Sequence, residues 1–427
     1  MPTFRQPGIV LTDHVFTVPL DHGDPGGPAI EVFAREVAAA GRQDADLPWL
    51  VFLQGGPGAA SPRPAGNGGW LRRAVRDYRV LLLDQRGTGR STPATRQTLA
   101  HLGSPQAQAG YLAHFRADSI VRDAEIIRRQ LTGGEPWTAL GQSYGGFCAV
   151  TYLSLAPGGL REALITGGLP GLDATAEDVY RATYPRVAAK TAAHYDRYPG
   201  DAEAAKRVAR HLRDHDTRLP NGARLTVEAF QSFGKMLGQQ SGSHELHYLL
   251  EDPFAGPGLS DAFLQAAQGA FALHGPLYAL LHEACYAQGS GATRWAAQRV
   301  RAEFAEFDAG AALDGDAPLL FTGEMIYPWM VELDPLLRPL RDAAELLAER
   351  TEWPLLYDPA QLAVNEVPAA AAVYFDDMYV DAGFSLATAR VTRGLRPWVT
   401  NEYEHDGLRV SDGAVLSRLI DMVKGVV

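Results

Sequence analysis

The sequence predicts an α/β fold: a mostly parallel sheet covered by helices, interrupted by a mainly helical insertion and completed near the C-terminus. Three observations predict it. Short apolar runs alternate with helix-period segments through the first third of the chain. From about residue 173 to about 353 strand signals become rare and the chain is rich in Ala, Arg and Glu. The alternation then resumes. The expected division is 1–172 for the first part of the sheet domain, 173–353 for a helical cap and 354–427 for the second part.

The elements follow in order. Residues 14–20 and 30–37 read as strands joined by a Gly/Pro turn at 23–28. Residues 49–53 (WLVFL) end in Gly55-Gly56-Pro57-Gly58, and residues 78–83 (YRVLLL) end in Asp84-Gln85-Arg86-Gly87. Unbroken apolar runs of this length followed by loop residues describe strands buried on both faces. Asp118 or Ser119 is placed to cap a helix whose Ile120, Ala124 and Ile127 share one face. A strand at 137–140 enters GQSYGG, a buried helix at 147–155 leaves it, and 164–168 is a further strand. The insertion is broken at 199–200, 220–222, 253–257 and 289–291, and its clearest strand signal is 319–322. Beyond it, 369–375 (AAAAVYF) reads as a strand, 385–391 as a helix, 398–400 as a short strand and 415–423 as an amphipathic helix.

Bulk composition narrows the function. The 427 residues are 46% hydrophobic and 21% charged, which suits one large globular domain with an insertion. A net charge of −11 without any Lys/Arg block argues against a nucleic-acid partner. The N-terminal residues have no apolar signal core, and no apolar run reaches the roughly 18 residues of a membrane span, so no membrane partner is expected. Two distant cysteines, Cys148 and Cys285, give neither a disulfide framework nor a metal motif. The expectation is a cytoplasmic protein without metal or cofactor, whose oligomeric state (a homo-oligomer included) is open.

The chemistry centres on Gly141-Gln142-Ser143-Tyr144-Gly145, a G-x-S-x-G stretch between a strand and a helix. Small residues on both sides allow a tight turn that exposes the Ser143 hydroxyl, and the Tyr144 N–H at the helix start points at a developing oxyanion. A second oxyanion donor belongs to the loop after an earlier strand, where the Gly56 N–H is the candidate and Gly55 permits close approach. Serine needs a base, and of the twelve histidines only His405 follows a late strand and enters a glycine turn. An acid must orient that base. Asp376, Asp377 and Asp381 compete; Asp377 is preferred because it ends the apolar run, 28 positions before His405, whereas Asp381 is placed to cap the next helix. The order Ser, Asp, His is that of the α/β-hydrolases. The loop 84–91 reads as structural, its Asp and Arg tying neighbouring loops together.

These stretches together resemble the prolyl aminopeptidase (proline iminopeptidase) family of α/β-hydrolases, longer-chain type. The matching residues are GGPG at 55–58, DQRGTGRS at 84–91, GQSYGGF at 141–147, EHDGLR at 404–409 and, less specifically, VPLDHGDP at 18–25. Gln54 stands where many members have His, a departure that touches the support of the oxyanion loop. The resemblance implies an α/β-hydrolase fold with a helical cap, and a serine exopeptidase releasing N-terminal proline from peptides through an acyl-enzyme. It also implies that cap carboxylates bind the cationic imino terminus, for which Glu283, Glu324 and Glu245 are candidates. An apolar pocket for the pyrrolidine ring would draw on Tyr144, Phe147, Tyr286 or Trp329. An esterase, or a peptidase releasing a longer N-terminal fragment, is the alternative. A serine at the elbow argues against epoxide-hydrolase or dehalogenase chemistry, which places an acid there.

Overall fold

Residues two apart in a strand share a face, and this period sorts the apolar runs into two layers. The computed structural model describes residues 2–273 and 275–427. Among them is a nine-stranded sheet of β1 (Thr3–Gln6), β2 (Ile9–Pro19), β3 (Ala29–Ala39), β4 (Trp49–Leu53), β5 (Arg79–Leu83), β6 (Trp137–Gln142), β7 (Leu160–Thr166), β8 (Ala369–Tyr374) and β9 (Leu395–Thr400). The spatial order is β1-β2-β3-β5-β4-β6-β7-β8-β9. The first three strands and the β3–β5 pair are antiparallel; from β5 to β9 every pair is parallel.

On one face Leu50, Phe52, Val80, Leu82, Leu140 and Leu164 meet Trp70 and Ala74 of the helix Gly69–Asp77 and Leu416, Leu419 and Ile420 of the helix Ala414–Val423. On the other face Val51, Leu53, Leu81, Leu83, Ala139 and Ile165 meet Ile120, Ala124 and Ile127 of the helix Ala117–Thr132, and Val150 and Leu153 of the helix Tyr144–Leu155. Parallel strands covered on both sides place their C-terminal ends, and the loops that follow, along one edge of the molecule.

Between β7 and β8 the chain leaves the sheet. It runs through the helices Ala176–Arg197, Asp201–Asp214, Gly242–Glu251 and Asp261–Phe271, through shorter helices, and through two two-stranded ribbons. Thr175 and Asp178 form a capping box that starts the first of these helices. Tyr184, Val187, Phe230, Phe233, Leu319 and Phe321 lie in an apolar cluster of this segment. No helix among the described residues is long and apolar enough to cross a membrane.

Two local expectations need correction, and one strand was not expected. Residues 319–322 form no strand. The Gln231 side chain takes the place of a partner strand: its Nε2 donates to the Leu320 carbonyl at 2.8 Å, and its own backbone carbonyl accepts the Thr322 N–H at 2.8 Å. The helix after residue 116 begins at Ala117 with Asp118 inside its first turn, so neither Asp118 nor Ser119 caps it. Strand β1 is exposed along most of its length and carries no apolar signal.

The loop after β5 ties its surroundings together, as its charges suggested. The buried Asp84 accepts the Ser61 N–H at 3.1 Å and the Arg90 N–H at 2.9 Å, and pairs with Arg63. The buried Arg86 guanidinium pairs with Asp123 and donates to the carbonyls of Leu20 and His114 at 2.8 Å each and of Pro19 at 3.0 Å.

Candidate active site

Ser143 stands alone between β6 and the helix Tyr144–Leu155, with φ 56° and ψ −125°. Positive φ is costly for a residue with a Cβ and persists only where the surroundings enforce it. The surroundings here are glycines. A Cβ on Gly145 would lie 1.9 Å from the Leu53 carbonyl oxygen, and one on Gly141 2.3 Å from the Gly145 carbonyl oxygen. The Ser143 N–H donates to the Thr166 carbonyl at 3.0 Å, and its own carbonyl accepts the Gly146 N–H at 2.7 Å. The turn is held from both sides while the hydroxyl stays partly exposed, with no side-chain hydrogen bond among the described residues.

The GGPG loop closes over this turn. A Cβ on Gly55 would come within 2.9 Å of the Ser143 Cβ, so only glycine lets the loop approach so closely. Gly56 follows at φ 137°. The Gln54 carbonyl accepts a hydrogen bond from Gln85 Nε2 at 3.0 Å, so the loop after β5 supports the loop after β4.

His405 and Asp377 meet at the ends of later strands. The Asp377 Oδ2 to His405 Nδ1 distance is 2.6 Å, and both side chains are buried. Asp377 is fixed in turn: its Oδ1 accepts the N–H of Tyr379 at 2.8 Å and of Val380 at 3.1 Å. Asp376 is exposed. Asp381 caps the helix Ala382–Val391 through Gly383 and Phe384 N–H groups at 2.7 and 3.1 Å, and pairs with Arg186 at 2.8 Å. Consecutive glycines after β7 bring His405 to the elbow: a Cβ on Gly168 would lie 2.4 Å from the Ser143 carbonyl oxygen, and one on Gly167 3.1 Å from His405 Nδ1. Burial pulls the His405 pKa down, but the charge and hydrogen bond of Asp377, with the charge of Glu324 added and Arg409 opposing, leave it raised above 6.5.

The three cap glutamates part company. Glu324 accepts a hydrogen bond from the Tyr278 hydroxyl at 2.7 Å, and its charge acts on His405, Tyr379 and Tyr286. Glu283 is buried, and its two oxygens accept the N–H groups of Ala296 at 3.0 Å and Ala297 at 2.9 Å, capping the helix Ala296–Arg301. Burial raises its pKa to about 7 against the pull of those bonds. Its carboxylate therefore serves the helix start. Glu245 is exposed and accepts the Ser241 hydroxyl at 2.5 Å, away from this group.

Rings link the elbow to Glu324. Phe147 lies edge-on to Tyr144 and Tyr286, with centroids 6.2 and 6.0 Å apart; Tyr286 meets His282 at 6.2 Å, and His282 meets Tyr278 at 5.2 Å. Tyr379 stands edge-on to His405 at 4.7 Å. Trp329 instead lines a separate cavity of the insertion with Arg301 and Phe304, because it stacks on Tyr327 at 5.3 Å. Sequence reasoning missed Tyr278, His282 and Tyr379. At their spacing they read as core aromatics, and only the 377–380 turn ties Tyr379 to the acid. Cys148 and Cys285 are free and buried, and burial pushes both thiols up.

Comparison with known proteins agrees with this architecture. A family model described as alpha/beta hydrolase fold matches residues 48–258, a stretch that takes in β4 to β7 and the elbow. The class is thus an α/β-hydrolase. Over 415 residues the chain is 52% identical to a proline iminopeptidase of Aeromonas sobria, covering 97% of this chain and 96% of that protein. It is 36% identical over 417 residues to a proline iminopeptidase of Aspergillus aculeatus, covering 95% and 91%. The chain belongs to the proline iminopeptidase family. A thermophilic esterase structure from Thermogutta terrifontis matches over 97% of this chain and 99% of its own, with 13% identity and a TM-score of 0.45.

Proposed function

We propose that this chain releases proline from the N-terminus of peptides by acyl transfer through Ser143, with residues 173–353 acting as the cap that selects a free terminus. The carrying observation is the position of Glu324, held by Tyr278 and acting on His405. A carboxylate whose charge reaches the catalytic base suits a substrate whose cationic nitrogen lies one residue from the bond that breaks. Phe147 and Tyr286 offer flat apolar walls to the pyrrolidine ring.

The steps follow from the geometry. Asp377 holds Nδ1 of His405, which leaves Nε2 to take the Ser143 hydroxyl proton as the oxygen attacks the prolyl carbonyl carbon. The oxyanion is met by the N–H groups of Gly56 and Tyr144. His405 passes its proton to the leaving nitrogen, the C–N bond breaks, and a prolyl ester remains on Ser143. Water, deprotonated by His405, then hydrolyses that ester and frees proline. Two buried free thiols suit a reducing, cytoplasmic setting.

Turnover of proline 4-nitroanilide, N-acetylproline 4-nitroanilide and a simple acyl ester tests the reading. The free proline anilide is expected to be the preferred substrate, Ser143→Ala to abolish its cleavage, and Glu324→Gln to raise its KM most. Equal cleavage of the acetylated anilide, or ester cleavage without anilide cleavage, overturns it in favour of an esterase or a longer-fragment peptidase.

A further inference from the structure

A cleft opens beside the Gly55–Gly58 loop. Its volume is about 390 Å³, and Gly58, Gly87, Arg96, Leu277, Asp334 and Leu336 are among its walls. Gly55 touches Ser143, and Gly58 lies three residues further on, so at most about 11 Å of chain separates the nucleophile's neighbour from the cleft wall. The loop also packs against the segment that holds Glu324. A Cβ on Gly58 would meet the Leu277 Cβ at 2.7 Å and the Tyr278 N at 3.0 Å; Leu277 lines the cleft, while Tyr278 holds Glu324. A peptide chain that follows this loop from Ser143 reaches the cleft within about 11 Å.

Arg96 is the unexplained charge in that cleft. It is half-buried, its Nε is buried without a hydrogen-bond partner, and no ion pair engages its guanidinium among the described residues. The backbone presents it firmly: the Ala94 N–H donates to the Gly87 carbonyl at 2.9 Å, and a Thr95–Thr98 capping box starts the short helix Arg96–Ala100. The other charge on the walls, Asp334, is occupied in its own turn, where its Oδ1 accepts the Leu336 N–H at 2.8 Å. An arginine partly removed from water without an anion is costly, and its planar fork fits a carboxylate with two parallel hydrogen bonds.

We propose that this cleft receives the leaving part of the substrate and that Arg96 binds the α-carboxylate of short peptides, two to four residues beyond the bond that breaks. The inference rests on the proline-releasing activity proposed above. It assigns the chain a substrate class: small proline-headed peptides with a free C-terminus.

The test compares kcat/KM for Pro-Gly-Gly and for its C-terminal amide in the wild type, Arg96→Gln and Arg96→Lys. The wild type is expected to favour the free acid by about tenfold or more. In Arg96→Gln the ratio of acid to amide falls to near one; in Arg96→Lys it is partly kept. A ratio near one in the wild type, or a ratio that survives in Arg96→Gln, overturns the proposal. A loss that is equal for acid and amide also overturns it, because a merely structural role produces that result. Proline 4-nitroanilide, which has no peptide carboxylate, separates the two readings: failure of the wild type to cleave it removes the activity itself, whereas cleavage with no acid preference removes only the role of Arg96.

Discussion

At Gly145 there is room for a hydrogen atom and nothing larger, since a Cβ would sit 1.9 Å from the Leu53 carbonyl oxygen. Gly145→Ala is expected to displace the elbow, so that a fluorophosphonate probe no longer labels Ser143 and the unfolding midpoint drops. The aspartates of the following loop separate as sharply. Asp377→Asn leaves His405 without the acceptor that fixes its tautomer and is expected to lower kcat about a thousandfold or more. Asp381→Asn keeps a competent cap and loses the charge paired with Arg186, so stability falls by about 1 kcal/mol or less while kcat holds. Steady-state kinetics and urea unfolding on the two variants check this contrast. Ser143 and His405 were legible in the sequence because their local motifs are themselves the geometry: glycines around a turn, a histidine after a last strand. The cap glutamates were not, because a glutamate among apolar residues reads alike whether it faces a ligand, as Glu324 can, or caps a helix, as Glu283 does.

Glu283 matters to its helix, and the dependence has a sign. Its pKa rises on folding from 4.5 to about 7, so the folded state holds the proton more tightly than the unfolded chain. For an acid shifted upward, the stabilising contribution is full below about pH 4.5 and is lost as pH climbs through about 7. At about 1.4 kcal/mol per unit the loss approaches 3 kcal/mol. Glu283→Gln carries no such titration, so the stability of the wild type minus that of the variant is expected to fall by this order between pH 4.5 and 8. Urea midpoints across that range measure it. Among the elements, β4 and β5 were readable because each is an apolar run closed by loop residues. Strand β1 was not, because its four residues are mostly exposed and owe their pairing to β2 rather than to their own pattern. Residues 319–322 misled for the opposite reason: an apolar stretch is satisfied by the side chain and backbone of Gln231 instead of by a strand.

Across the whole molecule, the insertion is stitched to the loops that carry the candidate acid and base. The His405 N–H donates to the Gly238 carbonyl at 3.1 Å, the Gln240 N–H donates to Asp406 at 3.0 Å, and Lys190 pairs with Glu404 at 2.5 Å. Arg186 reaches the Phe375 carbonyl at 3.1 Å, just before Asp377. On the other flank the buried Arg116 donates to the Ala287 carbonyl at 2.5 Å and lies over the Trp353 ring. Segments joined in this way are expected to unfold together, giving one calorimetric transition. A chain with residues 173–353 replaced by a short linker is expected to lose fluorophosphonate labelling of Ser143, because the His405 loop loses its backbone anchor. Two resolved transitions, or a labelled core fragment, would contradict this coupling.

The charge of Glu324, felt at His405, also makes proton and substrate rivals. In the free protein the field of Glu324 helps hold a proton on the imidazole. If the imino cation binds at Glu324 as proposed, it neutralises that field and adds a positive charge near the ring, so the proton is expected to be released more readily in the complex. The acidic limb of kcat is therefore expected to lie at lower pH than that of kcat/KM, since the first reports the complex and the second the free protein. In Glu324→Gln the kcat/KM limb moves to lower pH and the gap between the two limbs narrows. Each arriving proline terminus would thus free the base that activates Ser143, and in an empty site Glu324 favours the proton on that base.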